Sequence, residues 1–236
     1  MVIYMAKMLD WYAHKGVQKF LTKQHNPHFD THHIKIPFRM LIVGNSGSGK
    51  TSTLMNLIYN MPDTFEEIII CCKSKAEPLY EFLENKFEKD SSVKIMEFGK
   101  DGLPDIDKFD KEKQRLLIFD DLVNEKNQSM ISEAFIRARK KNCSLCYLSQ
   151  SYYAVPKMIR NNLTYIIIKQ LSSLKNLTMI MREYSLGVDK KEMKEMYDDA
   201  TSDKQGFLML DLEGPKEKRF RSGFNEYFET SSETLG

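Results

Sequence analysis

From residue 34 onward the chain alternates short apolar runs with longer segments in which apolar side chains recur every three or four positions. The runs at 40–43, 67–72, 116–120, 144–149 and 165–169 are short and almost continuously apolar. That pattern predicts strands buried on both faces rather than strands with one wet side. Between them, residues 51–60, 77–87, 128–140 and 172–184 carry helical periodicity. Strands separated by helices imply a mostly parallel sheet covered on both faces, the α/β class. Two further apolar runs, 206–212 and 220–224, flank Gly214-Pro215 and predict a C-terminal hairpin.

Residues 1–21 place Met5, Met8, Trp11, Tyr12, Val17, Phe20 and Leu21 roughly on one side of a helix. This predicts an amphipathic helix outside the sheet. Segment 23–33 breaks the pattern at Asn26-Pro27. The organisation expected is therefore an N-terminal helical extension and linker over 1–33, one domain over 34–228, and a flexible Ser/Thr/Glu-rich tail over 229–236.

The first strand runs into Gly44-Asn45-Ser46-Gly47-Ser48-Gly49-Lys50-Thr51, a complete G-x-x-x-x-G-K-T phosphate loop, and the first helix follows directly with Ser52. Glycines let the backbone N–H groups curl around a triphosphate, and the positive end of the following helix faces the same anion. Lys50 is expected to reach the β- and γ-phosphates and Thr51 to place its hydroxyl on Mg²⁺. About seventy residues later, Leu116-Leu-Ile-Phe-Asp120-Asp121 has the form of a Walker B strand, four apolar residues ending in two acids. Asp120 would stand at the Mg²⁺ coordination sphere, and Asp121 over the γ-phosphate as general base for an attacking water. The simpler reading of this pair is a helix cap. Leu145-Cys-Tyr-Leu-Ser149-Gln150 ends another apolar strand in polar residues, and Gln150 is the candidate γ-phosphate sensor if that strand lies between the two Walker strands. His25, His28, His32 and His33 are read as part of a polar linker near the nucleotide base rather than as metal ligands.

Composition narrows the picture in three ways. A net charge of +2 excludes a strongly basic nucleic-acid-coating protein, so DNA contact would come from local patches or from several subunits together. Cys71, Cys72, Cys143 and Cys146 lie inside apolar strand runs, where neighbouring side chains alternate between faces. They are expected to be reduced core thiols of an intracellular protein rather than zinc ligands. No apolar stretch is long enough for a membrane span, and charged residues interrupt what a signal peptide would need near the N-terminus.

The segments Ile36-Pro-Phe-Arg-Met-Leu-Ile-Val-Gly-Asn-Ser-Gly-Ser-Gly-Lys-Thr51, Lys73-Ser-Lys-Ala-Glu-Pro-Leu-Tyr80, Leu116-Leu-Ile-Phe-Asp-Asp121 and Ser149-Gln-Ser-Tyr-Tyr-Ala-Val-Pro-Lys-Met-Ile-Arg-Asn-Asn162 resemble the poxvirus-type genome-packaging ATPases. These are part of the FtsK/HerA branch of P-loop ATPases, found in large DNA viruses and virophages. The resemblance spans about residues 34–225 and implies a RecA-like P-loop core with an additional strand. It also implies a ring, pentameric or hexameric, that uses ATP and Mg²⁺ to drive double-stranded DNA, without sequence preference, into a preformed capsid. The expected place of action is the host cytoplasm or the viral assembly site, transiently at the capsid vertex, with a capsid component as a further partner. The branch carries Glu in much of its membership where this chain has Asp121, one methylene shorter. It also uses an arginine from a neighbouring subunit, for which Arg139 and then Arg137 are the matching residues and Arg160 an outside one; such a guanidinium would stabilise charge on the transferring phosphoryl group. The plain alternative for Arg137-Ala-Arg139-Lys-Lys141 is a solvated basic helix end.

That basic run and Lys216-Glu-Lys-Arg-Phe-Arg221 are the two candidate DNA-backbone contacts. Other functions use the same loop. A small-molecule kinase would want an Arg-rich lid, which is missing between the third and fourth strands predicted above. A GTPase would want a base-reading N-K-x-D, and Asp211-Leu-Glu-Gly214 matches D-x-x-G only by chance. A cellular or plasmid-borne DNA pump of the same branch and a nucleotide-regulated binding protein stay open at this stage.

Overall fold

The computed structural model describes residues 9–87, 93–125, 128–184 and 186–230. Its strands are β1 (Arg39–Val43), β2 (Glu67–Cys72), β3 (Val93–Glu97), β4 (Arg115–Asp120), β5 (Cys143–Ser149), β6 (Tyr165–Ile168), β7 (Leu208–Asp211), β8 (Phe220–Ser222) and β9 (Glu226–Tyr227). They form one sheet in the order β3-β2-β4-β5-β1-β6-β7-β8-β9. Pairing is parallel from β3 through β6 and antiparallel from β6 onward. The expected terminal hairpin is β7 and β8, extended by the short β9.

Five helices of ten or eleven residues cover the sheet: α1 (Lys50–Tyr59), α2 (Pro78–Phe87), α3 (Gln128–Arg137), α4 (Leu174–Glu183) and α5 (Lys190–Ala200). Because strand side chains alternate, each strand feeds two cores. Met40, Ile42, Ile70, Ile118 and Leu148 pack on one face with Leu54 and Leu57 of α1 and Tyr80 and Leu83 of α2. Leu41, Val43, Cys71, Phe119 and Tyr147 pack on the other with Ile131 and Phe135 of α3, Ile180 of α4 and Met196 of α5. Cys71 and Cys72 therefore face opposite cores, as do Cys143 and Cys146, and all four thiols are free and buried. Burial pushes Cys72 up to about 11 and Cys71 and Cys143 up to about 12, so these thiols stay protonated.

Three expectations need correction. Residues 9–21 are not one amphipathic helix: they make a 3-10 turn at Trp11–Ala13 and a single helical turn at Lys15–Gln18, with Trp11, Tyr12 and Phe20 exposed. Asp10 and His14 N-cap these turns with their side chains, so a new turn starts at His14 instead of the first continuing. The portion 1–8 of that expected helix lies outside the described residues, as does the tail beyond 230. Strand β3 and helix α5 are additions that the apolar pattern did not reveal: β3 is a half-polar edge, and in α5 four buried side chains sit among seven charged residues.

The histidine-rich linker is not near the nucleotide site. It packs under the amino ends of the strands, where His25 exchanges two hydrogen bonds with the side chain of Gln114 just before β4, and Ile34 and Phe38 enter the core. The phosphate loop leaves the other end of β1, a strand length of about 16 Å away. Arg221, almost fully buried, ties this end together by donating to Asp211, to the carbonyl of His33 and to that of Phe224. His32 is fully buried beside it: its Nδ1 accepts from the Ile34 N–H at 3.0 Å, and its Nε2 has no partner.

Burial first, then the neighbouring His33, His28 and Arg221, lowers the His32 pKa to about 4. A ring that is neutral when folded and titrates near 6.5 when unfolded contributes its full stability above pH 6.5 and loses it as pH falls towards 4. Wild type should lose about 2 kcal/mol through this group between pH 8 and pH 5. Urea unfolding at the two pH values should show a smaller loss in His32→Asn, which keeps an acceptor for Ile34 and does not titrate.

Candidate active site

The carboxyl ends of β1, β4, β5 and β6 converge on one edge of the sheet, and the polar residues of interest are delivered there. After Val43 the Gly44 N–H donates to Ser149 of β5 and the Asn45 N–H to Gln170 beyond β6, so the phosphate loop is hung between its two neighbouring strands. A Cβ on Gly44 would stand 2.5 Å from both the Lys169 Cβ and the Ser48 Oγ, which is why glycine is needed there. Gly47 and Gly49 take positive φ values of 72° and 85°, the conformation that turns the loop over and starts α1. Ser46 and Ser52 flank this turn, and Thr51 lies in the first turn of α1, whose leading N–H groups have no helical acceptor. Ser48 Oγ is buried and without a protein partner. The whole segment 44–52 thus has the concave, donor-lined form that fits a polyphosphate.

The Lys50 ammonium lies across the loop, donating to the Gly44 carbonyl at 3.0 Å and the Asn45 carbonyl at 2.8 Å. Burial lowers its pKa, and the charges of Asp120 and Asp121 oppose that shift. Asp120, last residue of β4, accepts a 2.8 Å hydrogen bond from the hydroxyl of Tyr80. Burial raises the Asp120 pKa, while this hydrogen bond and Lys50 work against the rise. An oxygen-only pair, the Asp120 carboxylate and the Thr51 hydroxyl, suits Mg²⁺, which keeps waters and takes its remaining ligands from phosphate. Among the described residues there is no cluster of three or more His, Cys, Asp or Glu that would form an all-protein metal cage.

Asp121 has a positive φ of 52°, costing about 1–3 kcal/mol for a residue with a Cβ. Its backbone N–H donates to Leu148 of β5, and its carboxylate accepts from the Gln150 side-chain amide at 3.0 Å. The turn at Asp121 breaks away from the strand direction immediately after Asp120. The structure therefore brings Lys50, Asp120, Asp121 and Gln150 to one edge, with β5 lying between the two Walker strands.

A family model described as Poxvirus A32 protein matches residues 26–211. The chain belongs to this family. It is 26% identical over 152 residues to the DNA packaging protein OPG160 of Variola virus and equally to that of Vaccinia virus. Each alignment covers 56% of this chain and 53% of the relative, so the chain spans about half the length of the curated relatives it matches. Among solved structures, the genome packaging NTPase B204 from Sulfolobus turreted icosahedral virus 2 in complex with sulfate matches with a TM-score of 0.59 at 14% identity, over 83% of this chain and 100% of that one. The cytoplasmic domain of the Type VII secretion ATPase EccC from Thermomonospora curvata matches with a TM-score of 0.52 at 12% identity, over 82% of this chain and 24% of that one. The A32 family chain thus has the mostly parallel P-loop ATPase fold.

The arginines are placed elsewhere. Arg137 pairs with Asp107 at 2.8 Å on the flank of the sheet, and Arg139 is exposed beside Arg39, at the amino end of β1. Neither approaches the phosphate loop. Arg160 is buried against the Tyr152 ring and ion-paired with Glu183, so it does not project from the surface. The basic run at 216–221 is also partly spent: Arg221 is buried, and Arg219 donates to the carbonyls of Gly214 and Leu186.

Tyr80 escaped the reading of single positions. It was visible only as the end of a segment shared with the family, and its role depends on α2 folding back over β4. Removing its hydroxyl strips one charge-assisted hydrogen bond from Asp120, worth about 1.5–3 kcal/mol. Tyr80→Phe should weaken Mg²⁺ affinity in the nucleotide complex about tenfold and leave Mg²⁺-free nucleotide binding unchanged. A magnesium titration of nucleotide binding followed by calorimetry checks this.

Proposed function

We propose that this chain is the ATP-hydrolysing motor domain of a viral DNA-packaging machine. The observation that supports the reading most is the Gln150–Asp121 hydrogen bond at the same sheet edge as a complete phosphate loop; with Asp121 as base and Gln150 as sensor, the pair would flank an attacking water. The names of the relatives support the same reading, since the OPG160 proteins are called DNA packaging proteins and the B204 NTPase has been solved with ATP-gammaS.

Lys50 leaves the Gly44 and Asn45 carbonyls to neutralise the β- and γ-phosphate oxygens, while the N–H groups of 44–51 hold the chain of phosphates. Thr51 and Asp120 would hold Mg²⁺, which when bound would supply charge neutralisation to the phosphates. Asp121 polarises a water in line with the γ-phosphorus and accepts its proton. Gln150, bonded to Asp121, changes partner when the γ-phosphate leaves, and β5 carries that change through the sheet. In a ring of such subunits, Arg139 or Arg137 of one copy serves the site of the next, since neither reaches its own. The proposed cargo is double-stranded DNA gripped through its phosphates, the proposed partner a capsid component, and the place of action the viral assembly site. No described helix is long and apolar enough to cross a membrane.

Steady-state ATP hydrolysis measured with and without long double-stranded DNA tests the proposal, with Lys50→Ala as the blank. Stimulation by DNA is expected from coupled turnover, and turnover indifferent to DNA would shift the reading to a kinase or switch. Arg139→Ala should keep nucleotide affinity within about twofold and lower turnover of the assembled protein by about 10³; unchanged turnover would reject this residue as the one acting in trans.

A further inference from the structure

The sheet order separates two sides of the phosphate loop. β5 and β4, with Asp121, Gln150 and Asp120, lie on one side of β1; β6 and β7 lie on the other. A triphosphate whose γ-end faces the acids must carry its nucleoside away towards β6 and β7. What stands there is the turn Thr201–Gly206 between α5 and β7, and it is held by an unusual device. Lys169, directly after β6, is fully buried, and its ammonium donates to the carbonyls of Lys204, Gln205 and Gly206 at 3.2, 2.8 and 2.9 Å. All three of its protons are used, with no carboxylate hydrogen-bonded to it. The same side chain supports the loop from below, since its Cβ is what a side chain at Gly44 would strike.

The turn is fastened at a second point. The Gln170 side-chain amide donates to the Thr201 carbonyl, and the Thr201 hydroxyl to the Tyr197 carbonyl. Gln170 also accepts the Asn45 N–H, so phosphate loop and turn share one support. The result is that the exposed Gln205 carboxamide sits over the start of α1: Ser52 Oγ donates to Gln205 Oε1 at 3.4 Å, and that oxygen is 3.5 Å from where a Cβ on Gly49 would be. A carboxamide offers both a donor and an acceptor to whatever follows the α-phosphate.

We infer that the turn Thr201–Gly206 is the nucleoside subsite of this site, with Gln205 contacting the ribose or base of a nucleoside triphosphate and Lys169 as the positioning residue that fixes the turn against the phosphate loop. The inference rests on the ATP reading proposed above. It has a direct consequence: this turn discriminates a nucleoside triphosphate from a bare polyphosphate, which the loop 44–51 alone would not.

The test is equilibrium binding of ATP and of inorganic tripolyphosphate to the full chain, measured by calorimetry without Mg²⁺, so that hydrolysis is not the readout. Wild type should bind ATP more tightly than tripolyphosphate. Gln205→Ala should weaken ATP binding about tenfold, the worth of one or two hydrogen bonds, and leave tripolyphosphate binding unchanged. Lys169→Met should weaken ATP binding more than tripolyphosphate binding, with circular dichroism and unfolding midpoint showing that it is folded; if it does not fold, Gln205→Ala alone decides. Equal losses for both ligands would mean a purely structural turn and would overturn the inference, as would an unchanged ATP affinity in Gln205→Ala. Wild type that binds neither ligand would overturn the ATP reading itself, and this inference with it.

Discussion

In the parallel half of the sheet every central strand is hydrogen-bonded on both sides, and the ladder stops at the carboxyl ends of β1, β4, β5 and β6 together. Backbone groups beyond that line have no strand partner, and buried polar groups without partners are costly. The loops must therefore hydrogen-bond to one another across strands, and they do: Gly44 to Ser149, Asn45 to Gln170, Asp121 to Leu148. This cross-strand lacing is what puts residues from distant parts of the chain within one hydrogen bond of each other. The same requirement makes Gly44 indispensable, because the loop and Lys169 approach too closely for any Cβ.

The two ends of the sheet have divided the work. At the amino end, several polar residues pair with one another: Arg221 with Asp211, Gln114 with His25 and Thr64, and Tyr227 with His33, while His32 Nε2 stays buried without a partner. These interactions seal the linker under the domain and leave little chemistry to spare. At the carboxyl end, donors and acids face outward, Asp121 holds a strained backbone, and Ser48 keeps an unpartnered buried hydroxyl. The strained backbone of Asp121 and the unpartnered Ser48 hydroxyl stand at the edge where the phosphate loop and the two acids meet, which is where a binding site can use them.

An assembly would use a third region. Arg137 and Arg139 stand on the flank and amino end of the sheet, away from the phosphate loop, and among the described residues no arginine is hydrogen-bonded to Asp121 or Gln150. Under the proposed ring reading, the arginine for this site would come from a neighbouring copy.

The sequence by itself determined the local chemistry. The Gly44–Thr51 loop, the apolar strand ending in Asp120-Asp121 and the strand ending in Gln150 were legible because each is contiguous, and because buried parallel strands must read as short apolar runs. Strand order, and with it the position of β5 between the Walker strands, follows from the resemblance to a family rather than from periodicity, and only the tertiary structure shows it. It also decided what depends on contacts across the chain. Tyr80 meets Asp120 over 40 residues, Lys169 meets the 204–206 turn over about 35, and His33 meets Tyr227 of β9 over 194. The edge strand β3 and the charged helix α5 were hidden because their apolar content is low and their place is set by neighbours. The supposed N-terminal helix failed for the converse reason. Its apolar spacing is helical, but helix is cooperative and short segments are marginal without a surface to pack against, so side-chain caps at Asp10 and His14 break it into single turns.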